Sequence, residues 1–325
     1  MKKFFKFIGI LFLILIVALV GGGYYFIKNF DLNKYKSYAE DLVYKETGRK
    51  LALNGEADLG ISLVPTLVLN DVSLSNASWA SQPQMLKVKQ LEISFAVLPL
   101  LHKEIMINNI NLVAPEIYLE QNAAGQANWE FSKPADGETA AVKAAELPQA
   151  AERVKTAEKA GPAAAVLAGF AAKNVSIENG LVRFSDQKAK QTVNLQINSF
   201  NFSADGMDAP ITADFDFLYD NQPIKGNTVL GSINQFWAAA EPFPVKLTAG
   251  AYGVNVNADG TVADMMKNPV FDFNANIYNP AGNFDAPETT LAAKISGDIK
   301  KVKADISTLN VANNLITGTV TADLN

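Results

Sequence analysis

Apolar and polar residues recur along this chain in a short phrase. Leu69-Asn70-Asp71-Val72-Ser73-Leu74 reads apolar, polar, polar, apolar, polar, apolar. Val88-Lys89-Gln90-Leu91-Glu92-Ile93 repeats it 19 residues on, and Ile107-Asn108-Asn109-Ile110-Asn111-Leu112 repeats it after another 19. Looser copies stand at Ala172–Ile177, Ile197–Phe202 and Ile306–Val311. The equal spacing of the first three carries the weight, since a half-apolar chain of this length produces roughly five such windows by chance. In each copy the apolar residues around the polar pair stand three apart. An uninterrupted strand would send those two to opposite faces. A bulge at the polar pair would return both to one face and bend the strand. The pattern therefore predicts bent strands with one apolar side.

The rest of the body supports the same reading. Leu51–Leu53 and Ala57–Leu63 read as strands around Asn54-Gly55, a hairpin signal. Leu67–Leu74 and Leu86–Leu98 follow, and Glu104–Val113 and Glu116–Gln121 pair around Ala114-Pro115. Later, Asn174–Ile177 and Leu181–Ser185 flank Glu178-Asn179-Gly180, a second hairpin signal. Val193–Ser203, Ile211–Tyr219, Pro244–Ala251, Phe271–Ile277, Leu291–Ile295, Val302–Ile306 and Leu315–Leu324 alternate as strands, with turns expected at Asp205-Gly206, Asp259-Gly260 and Ser296-Gly297-Asp298. Ser232–Ala240 reads as a short helix. Between the two strand-rich blocks, residues 132–169 are rich in Ala, Glu, Lys and Pro and poor in large apolar side chains, which predicts a linker.

Two segments precede the strands. Lys2, Lys3 and Lys6 lead into an uncharged run from Phe7 to Ile27, about the twenty residues that span a bilayer as a helix. Ile8–Val20 alone has signal-peptide length, with Gly21-Gly22-Gly23 behind it. Tyr24, Tyr25 and Phe26 favour a retained anchor by resembling an interfacial aromatic belt. Either reading sends the body out of the cytoplasm. Residues 31–48 then read as an amphipathic helix, with Asp31 as cap, Leu32, Tyr35, Ala39, Leu42 and Val43 on one side, and Gly48 as stop. The expected organisation is an anchor at 1–30, a first β block with its leading helix at 31–131, the linker at 132–169 and a second β block at 170–325.

Charge and chemistry narrow the function. The chain carries a net charge of −5. Four lysines and no acid fall in its first thirty residues, so the body is more acidic still. That argues against a nucleic-acid partner and against adsorption to anionic headgroups. With no cysteine there are no disulfides, thiolate metal sites or cysteine nucleophiles. The lone histidine, His102, sits after Pro99-Leu100-Leu101 with no nucleophile motif beside it. Asp208, Asp214 and Asp216 could suggest calcium, but alternating acids on the polar side of a strand are the simpler reading. Trp79, Trp129 and Trp237 could contact a ligand, but buried or rim tryptophans explain them as well. No cofactor or metal is expected, and an enzyme is disfavoured.

The residues also resemble a known family. Thr47-Gly48-Arg49-Lys50-Leu51-Ala52-Leu53-Asn54-Gly55 is similar to the opening of the AsmA family. The resemblance continues through Ser62-Leu63-Val64-Pro65, Leu74-Ser75-Asn76-Ala77, Leu98-Pro99-Leu100-Leu101, Pro115-Glu116-Ile117-Tyr118-Leu119-Glu120 and Gly125-Gln126-Ala127-Asn128-Trp129. In the second block it rests on Val175-Ser176-Ile177-Glu178-Asn179-Gly180 and Ile316-Thr317-Gly318-Thr319-Val320. The resemblance implies a single-pass anchor in the inner membrane of a Gram-negative envelope, with a cytoplasmic amino terminus and a periplasmic body. Larger relatives look like bridge-like lipid-transfer proteins whose sheet curls into an apolar trough.

Together these give a mainly β protein. An N-terminal transmembrane helix precedes an extended, twisted antiparallel β-sheet curled into an apolar groove, with one amphipathic helix and an Ala/Pro-rich linker. A closed sandwich remains the alternative to the groove. The expected function is binding or conducting phospholipid for outer-membrane lipid homeostasis, with acyl chains, the inner membrane and outer-membrane components as partners. Acyl chains need no catalytic residue. The expected lipid face comprises Leu91, Ile93, Phe95, Ile110, Leu112, Ile117 and Leu119. The alternative is a scaffold or chaperone-like factor for outer-membrane protein assembly that binds client strands at sheet edges.

Overall fold

A computed structural model describes residues 32–60, 64–96, 106–131, 172–265 and 268–324. The expected anchor, the linker and His102 lie outside these residues. No helix among the described residues is long and apolar enough to cross a membrane.

The described chain forms one 15-stranded sheet. Helix α1 (Leu32–Thr47) precedes β1 (Leu51–Leu53), β2 (Ala57–Gly60), β3 (Thr66–Ser75), β4 (Gln84–Phe95) and β5 (Ile107–Gln121). Then come β6 (Asn174–Asp186), β7 (Gln191–Ala204), β8 (Pro210–Tyr219), β9 (Gln222–Ser232), the short helix α2 (Ile233–Ala238) and β10 (Phe243–Ala251). The sheet ends with β11 (Val254–Ala263), β12 (Val270–Asn279), β13 (Thr289–Asp298), β14 (Lys301–Val311) and β15 (Asn314–Asp323). From β3 onward, strands follow one another in space as in sequence, and β1 and β2 both pair with β3. Every pairing is antiparallel except β5 with β6. That parallel pair straddles the long connection, because a parallel neighbour must be reached by returning to the rim where the previous strand began. The two strand-rich blocks thus share one continuous sheet.

Helix α1 stops where its sequence says it should. Gly48 takes φ 66, and its N–H donates to Tyr44 O at 2.8 Å. The helix lies along the outer edge of β1. Lys36 Nζ donates to Leu53 O at 3.3 Å and to Gly55 O at 2.7 Å, while Leu53 N donates to Glu40 Oε1 at 3.2 Å. Two side chains therefore occupy the place of a neighbouring strand, which protects an edge that would otherwise template pairing. Helix α2 begins with a capping box at Ser232 and Gln235.

Several breaks expected from the sequence are absent, and they share one cause. Asn54-Gly55 is not a hairpin: β1 and β2 lie end to end along β3. Glu178-Asn179-Gly180 is not a hairpin either, and Ala114-Pro115 does not divide a strand; β6 and β5 run straight through them. Asp71, Ala114 and Asn179 instead take positive φ (52°, 48° and 55°) inside their strands. The registers place these three in one row with Lys89 and Asn198, where each ladder skips a pair or gains a residue. The result is a crease running perpendicular to β3–β7. Asn and Asp adopt the left-handed conformation more readily than most residues, which serves a mid-strand bend as well as a turn. Asp259-Gly260 also lies inside a strand, β11, and not in a turn.

The repeated phrase is bent as its pattern suggested, but its equal spacing does not mark one row. Phrases one and two meet the crease at Asp71 and Lys89. The third bends elsewhere, at Asn108, an extra residue where the β4–β5 register shifts. The looser copies carry extra residues at Asn198 and Ser307. Ala172–Ile177 shows no break, because β6 begins only at Asn174. Neighbouring antiparallel strands of unequal length cannot align an even sequence repeat across the sheet.

Candidate functional site: an uncovered apolar face

Residues opposite one another in a ladder share a face, so the registers sort every strand residue onto one side or the other. On one side, Leu67 and Leu69 of β3 face Ile93 and Leu91, which face Ile110 and Leu112, then Val175 and Ile177, then Phe202 and Phe200. Across the crease the same side carries Val72, Val88, Pro115, Gly180, Ile197 and Phe217. Pairs three apart, such as Leu69 and Val72 or Phe200 and Ile197, point the same way because the crease resets the alternation. A Cβ built on Gly180 would lie 3.1 Å from both Ile177 Cγ2 and Pro115 Cγ, so the flanks converge here on the apolar side.

Burial follows this geometry. Val72 (4%), Val88 (2%) and Ile197 (7%) are the closed floor of a valley, and Pro115 beside them is fully buried. Leu91, Ile93, Leu112 and Ile117 farther up the flanks are half-buried. No described segment forms a second layer over them; α1 sits at the β1 edge and α2 beside β9. Pro115 also suits the crease chemically, since a strand interior elsewhere would miss its N–H.

The apolar side continues unbent through β8–β13. Ala213, Thr228, Leu247, Ala258, Ala275 and Ala293 form a lane of small and medium residues across six strands. Larger side chains flank it: Phe215, Val256, Ile277 and Leu291 on one side, and Ile211, Leu230, Val245, Phe273 and Ile295 on the other. At the end of β9, Phe236 of α2 meets Phe243 edge-on at 5.7 Å.

The opposite side is polar and charged. Asn201, Asp214, Asn227, Thr248, Asn257 and Asn276 form one of its rows. Lys225–Asp216 (2.8 Å), Lys246–Asp259 (3.1 Å) and Lys294–Asp272 (3.0 Å) pair across strands there. The Lys225 ammonium and the Asn198 amide hold the Asp216 carboxyl below its usual range. This exposed staple on the last crease residue acts above the ordinary carboxylate range and weakens as pH falls through the lowered pKa. Asp214 and Asp216 are thus polar-face acids, and Asp208 accepts from Asn234 Nδ2 at 2.7 Å in a turn.

All seven residues expected on the lipid face lie on the apolar side. Leu91, Ile93, Phe95, Ile110 and Leu112 fall on one flank of the crease and Ile117 and Leu119 on the other. Ile110 is closed off at 2% exposure, while the other six are half-buried. Sequence reasoning missed the floor residues Val72, Val88, Pro115 and Ile197, the lane beyond β8, and the phenylalanines joining the two. The strand registers, which a single sequence does not reveal, are the missing signal: those of β3–β7 for the floor and those of β8–β13 for the lane.

Sequence reasoning also missed a polar clasp. Asn128, with no exposed surface, donates from Nδ2 to Asn76 Oδ1 at 2.9 Å and to Tyr118 O at 2.7 Å. Its Oδ1 accepts from Glu120 N at 2.9 Å, and its own carbonyl accepts from Arg49 Nη2 at 3.2 Å. The buried Glu120 carboxylate accepts from Ser81 N and Gln82 N. Burial lowers the Arg49 pKa. Trp129 rests 6.0 Å from Phe184 on the apolar side. A polar cavity of about 140 Å³ beside Glu120 and Arg183, and another of about 220 Å³ under α2, are both smaller than lipid-sized pockets. The clasp is structural, and the open face is the candidate site.

The residues that meet in the clasp, Arg49, Asn76, Tyr118, Glu120 and Asn128, belong to the stretches that resemble the AsmA family. The chain matches that family over residues 1–321. Among curated proteins it is similar to the AsmA family protein YhjG of Escherichia coli (strain K12), at 23% identity. The match covers 80% of this chain and 38% of YhjG, so the chain spans about two-fifths of that relative. The chain belongs to the AsmA family.

Proposed function

We propose that this protein binds phospholipid by its acyl chains along the apolar side of the sheet, and conducts it in support of outer-membrane lipid homeostasis. The observation that carries the reading is the two-sidedness of the sheet. One side is apolar from β3 into β14 with no described layer over it, while the other is charged and solvated. An ordinary sandwich would cover such a face, because exposed contiguous apolar surface is unfavourable in water. Acyl chains satisfy it without directional contacts or catalytic groups, so the protein acts by binding and not as an enzyme. Membership in the AsmA family supports an envelope lipid role. In this reading Phe7–Ile27 anchors the chain in the inner membrane, the body is periplasmic, and outer-membrane components receive or supply the lipid.

The test is photocrosslinking from adjacent residues on opposite faces. With benzoylphenylalanine at Leu112, the full chain in mild detergent forms phospholipid adducts; with it at Asn111, it forms none. Equal labelling at both positions, or none at either, would sink the proposal. A second reading, a scaffold for outer-membrane protein assembly, draws on β15, whose outer side has no partner among the described residues and whose side chains are all exposed. Protein adducts from Ile316 without lipid adducts from Leu112 would favour it.

A further inference from the structure

The creased valley of β3–β7 and the flat lane of β8–β13 meet at one place. The crease ends at Asn198, and β8 pairs with β9 in unbroken register from Ile211 to Tyr219. At this junction Ile197 and Phe200 of β7 face Phe217 and Phe215 of β8. Three rings stand together: Phe200 and Phe217 stack with centroids 6.3 Å apart, and Phe215 and Phe217 at 5.2 Å. All three are half-buried on the open side, within reach of anything lying on that face. The next strand gives Phe215 a seat, since a Cβ built on Gly226 would lie 2.7 Å from its Cζ. The ring therefore leans over Gly226 of β9, where a side chain would meet both this ring and the Thr248 carbonyl of β10.

We propose that Phe200, Phe215 and Phe217 form an aromatic threshold that an acyl chain crosses in passing between the valley and the lane. This rests on the lipid-binding reading above. The rings stand where the valley floor between the Leu112 and Pro115 rows runs out into the Phe215 and Phe217 rows. A chain moving along the face has to ride over the stack or tilt it. Stacking contacts of this kind are individually weak, so the rings can yield. Crossing favours a flexible, unbranched hydrocarbon that bends over the step, and disfavours a rigid fused-ring lipid. The threshold delays passage without closing the path.

The full chain is tested in mild detergent with benzoylphenylalanine at Leu112, in the valley, or at Ala275, in the lane. Each preparation meets vesicles of phosphatidylethanolamine and phosphatidylglycerol carrying radiolabelled phosphatidylethanolamine. In the wild type both positions become labelled, one lagging the other. Phe217→Ala abolishes the lag. Phe217→Leu, which keeps the site filled and guards against misfolding, shortens it. Labelling at both positions with the lag unchanged in both variants, or no lag in the wild type, overturns the threshold and leaves the lipid reading standing. Absence of label at both positions in the wild type overturns the lipid reading and the threshold with it.

Discussion

Asn128 shows how much one residue can hold in a thin sheet. It is fully buried, and its amide joins the ends of β3 and β5 while its carbonyl receives Arg49. Replacing it with alanine leaves the Glu120 amide and the Tyr118 carbonyl without their partner in a site closed to water. Each such orphan costs on the order of 1–3 kcal/mol, so Asn128→Ala, which leaves two, is expected to lose about 2–6 kcal/mol locally. In a sheet where each strand touches only its neighbours, the damage should stay near β1, β3 and β5. Hydrogen exchange should show faster exchange at Glu120 and its neighbours and unchanged protection in β10–β13. Uniform loss of protection would mean that the clasp holds the whole sheet. The same residue limits what a sequence can tell: Asn128 is recognisable as part of a family stretch, but nothing in its local pattern says that its side chain is buried.

The crease is the feature that turns alternating strands into a valley. It depends on backbone conformations that most residues avoid. Asn179 tests this cleanly, because it is exposed and sits at φ 55 inside β6. Asn179→Gly should be neutral or stabilise by up to about 1 kcal/mol, whereas Asn179→Val should cost about 1–2 kcal/mol, since β-branched residues resist the left-handed region. Urea unfolding followed by exchange of β6 and β7 amides distinguishes the two. A tolerated valine would mean that the crease does not need this conformation. At this scale the sequence was legible in kind and misleading in detail. Most strands of the second block lie close to where regular alternation predicts them, but β9 and β11 go unpredicted, because Gly226 and Asp259-Gly260 interrupt their alternation with turn-type residues. The polar pairs of the three evenly spaced phrases do mark bends, whereas the looser copy at Ala172–Ile177 does not. Asn54-Gly55 and Asn179-Gly180 signal reversals by sequence, since the same left-handed tolerance serves a hairpin and a mid-strand bend alike. Only long-range pairing decides between them. The parallel β5–β6 pair was hidden for the same reason: local sequence records where a strand starts but not which rim the chain returns to.

For the whole molecule, the question is what use is made of an apolar face that no described segment covers. A closed core would bury these residues against a second layer. Here the floor beside the crease is buried by its own flanks, while the flanks and the lane stay half-open. The polar side is saturated with cross-strand ion pairs and amides and offers no comparable surface. The most direct measurement is the lipid content of the full chain extracted in mild detergent, compared between the wild type and Leu112→Asp. Leu112 is half-buried on the valley flank, so a carboxylate there spoils the face while leaving the closed floor intact. The account predicts phospholipid bound to the wild type by mass spectrometry, its loss in Leu112→Asp, and unchanged exchange protection in β4–β6. A wild-type chain that carries no phospholipid and takes up none from vesicles would contradict it.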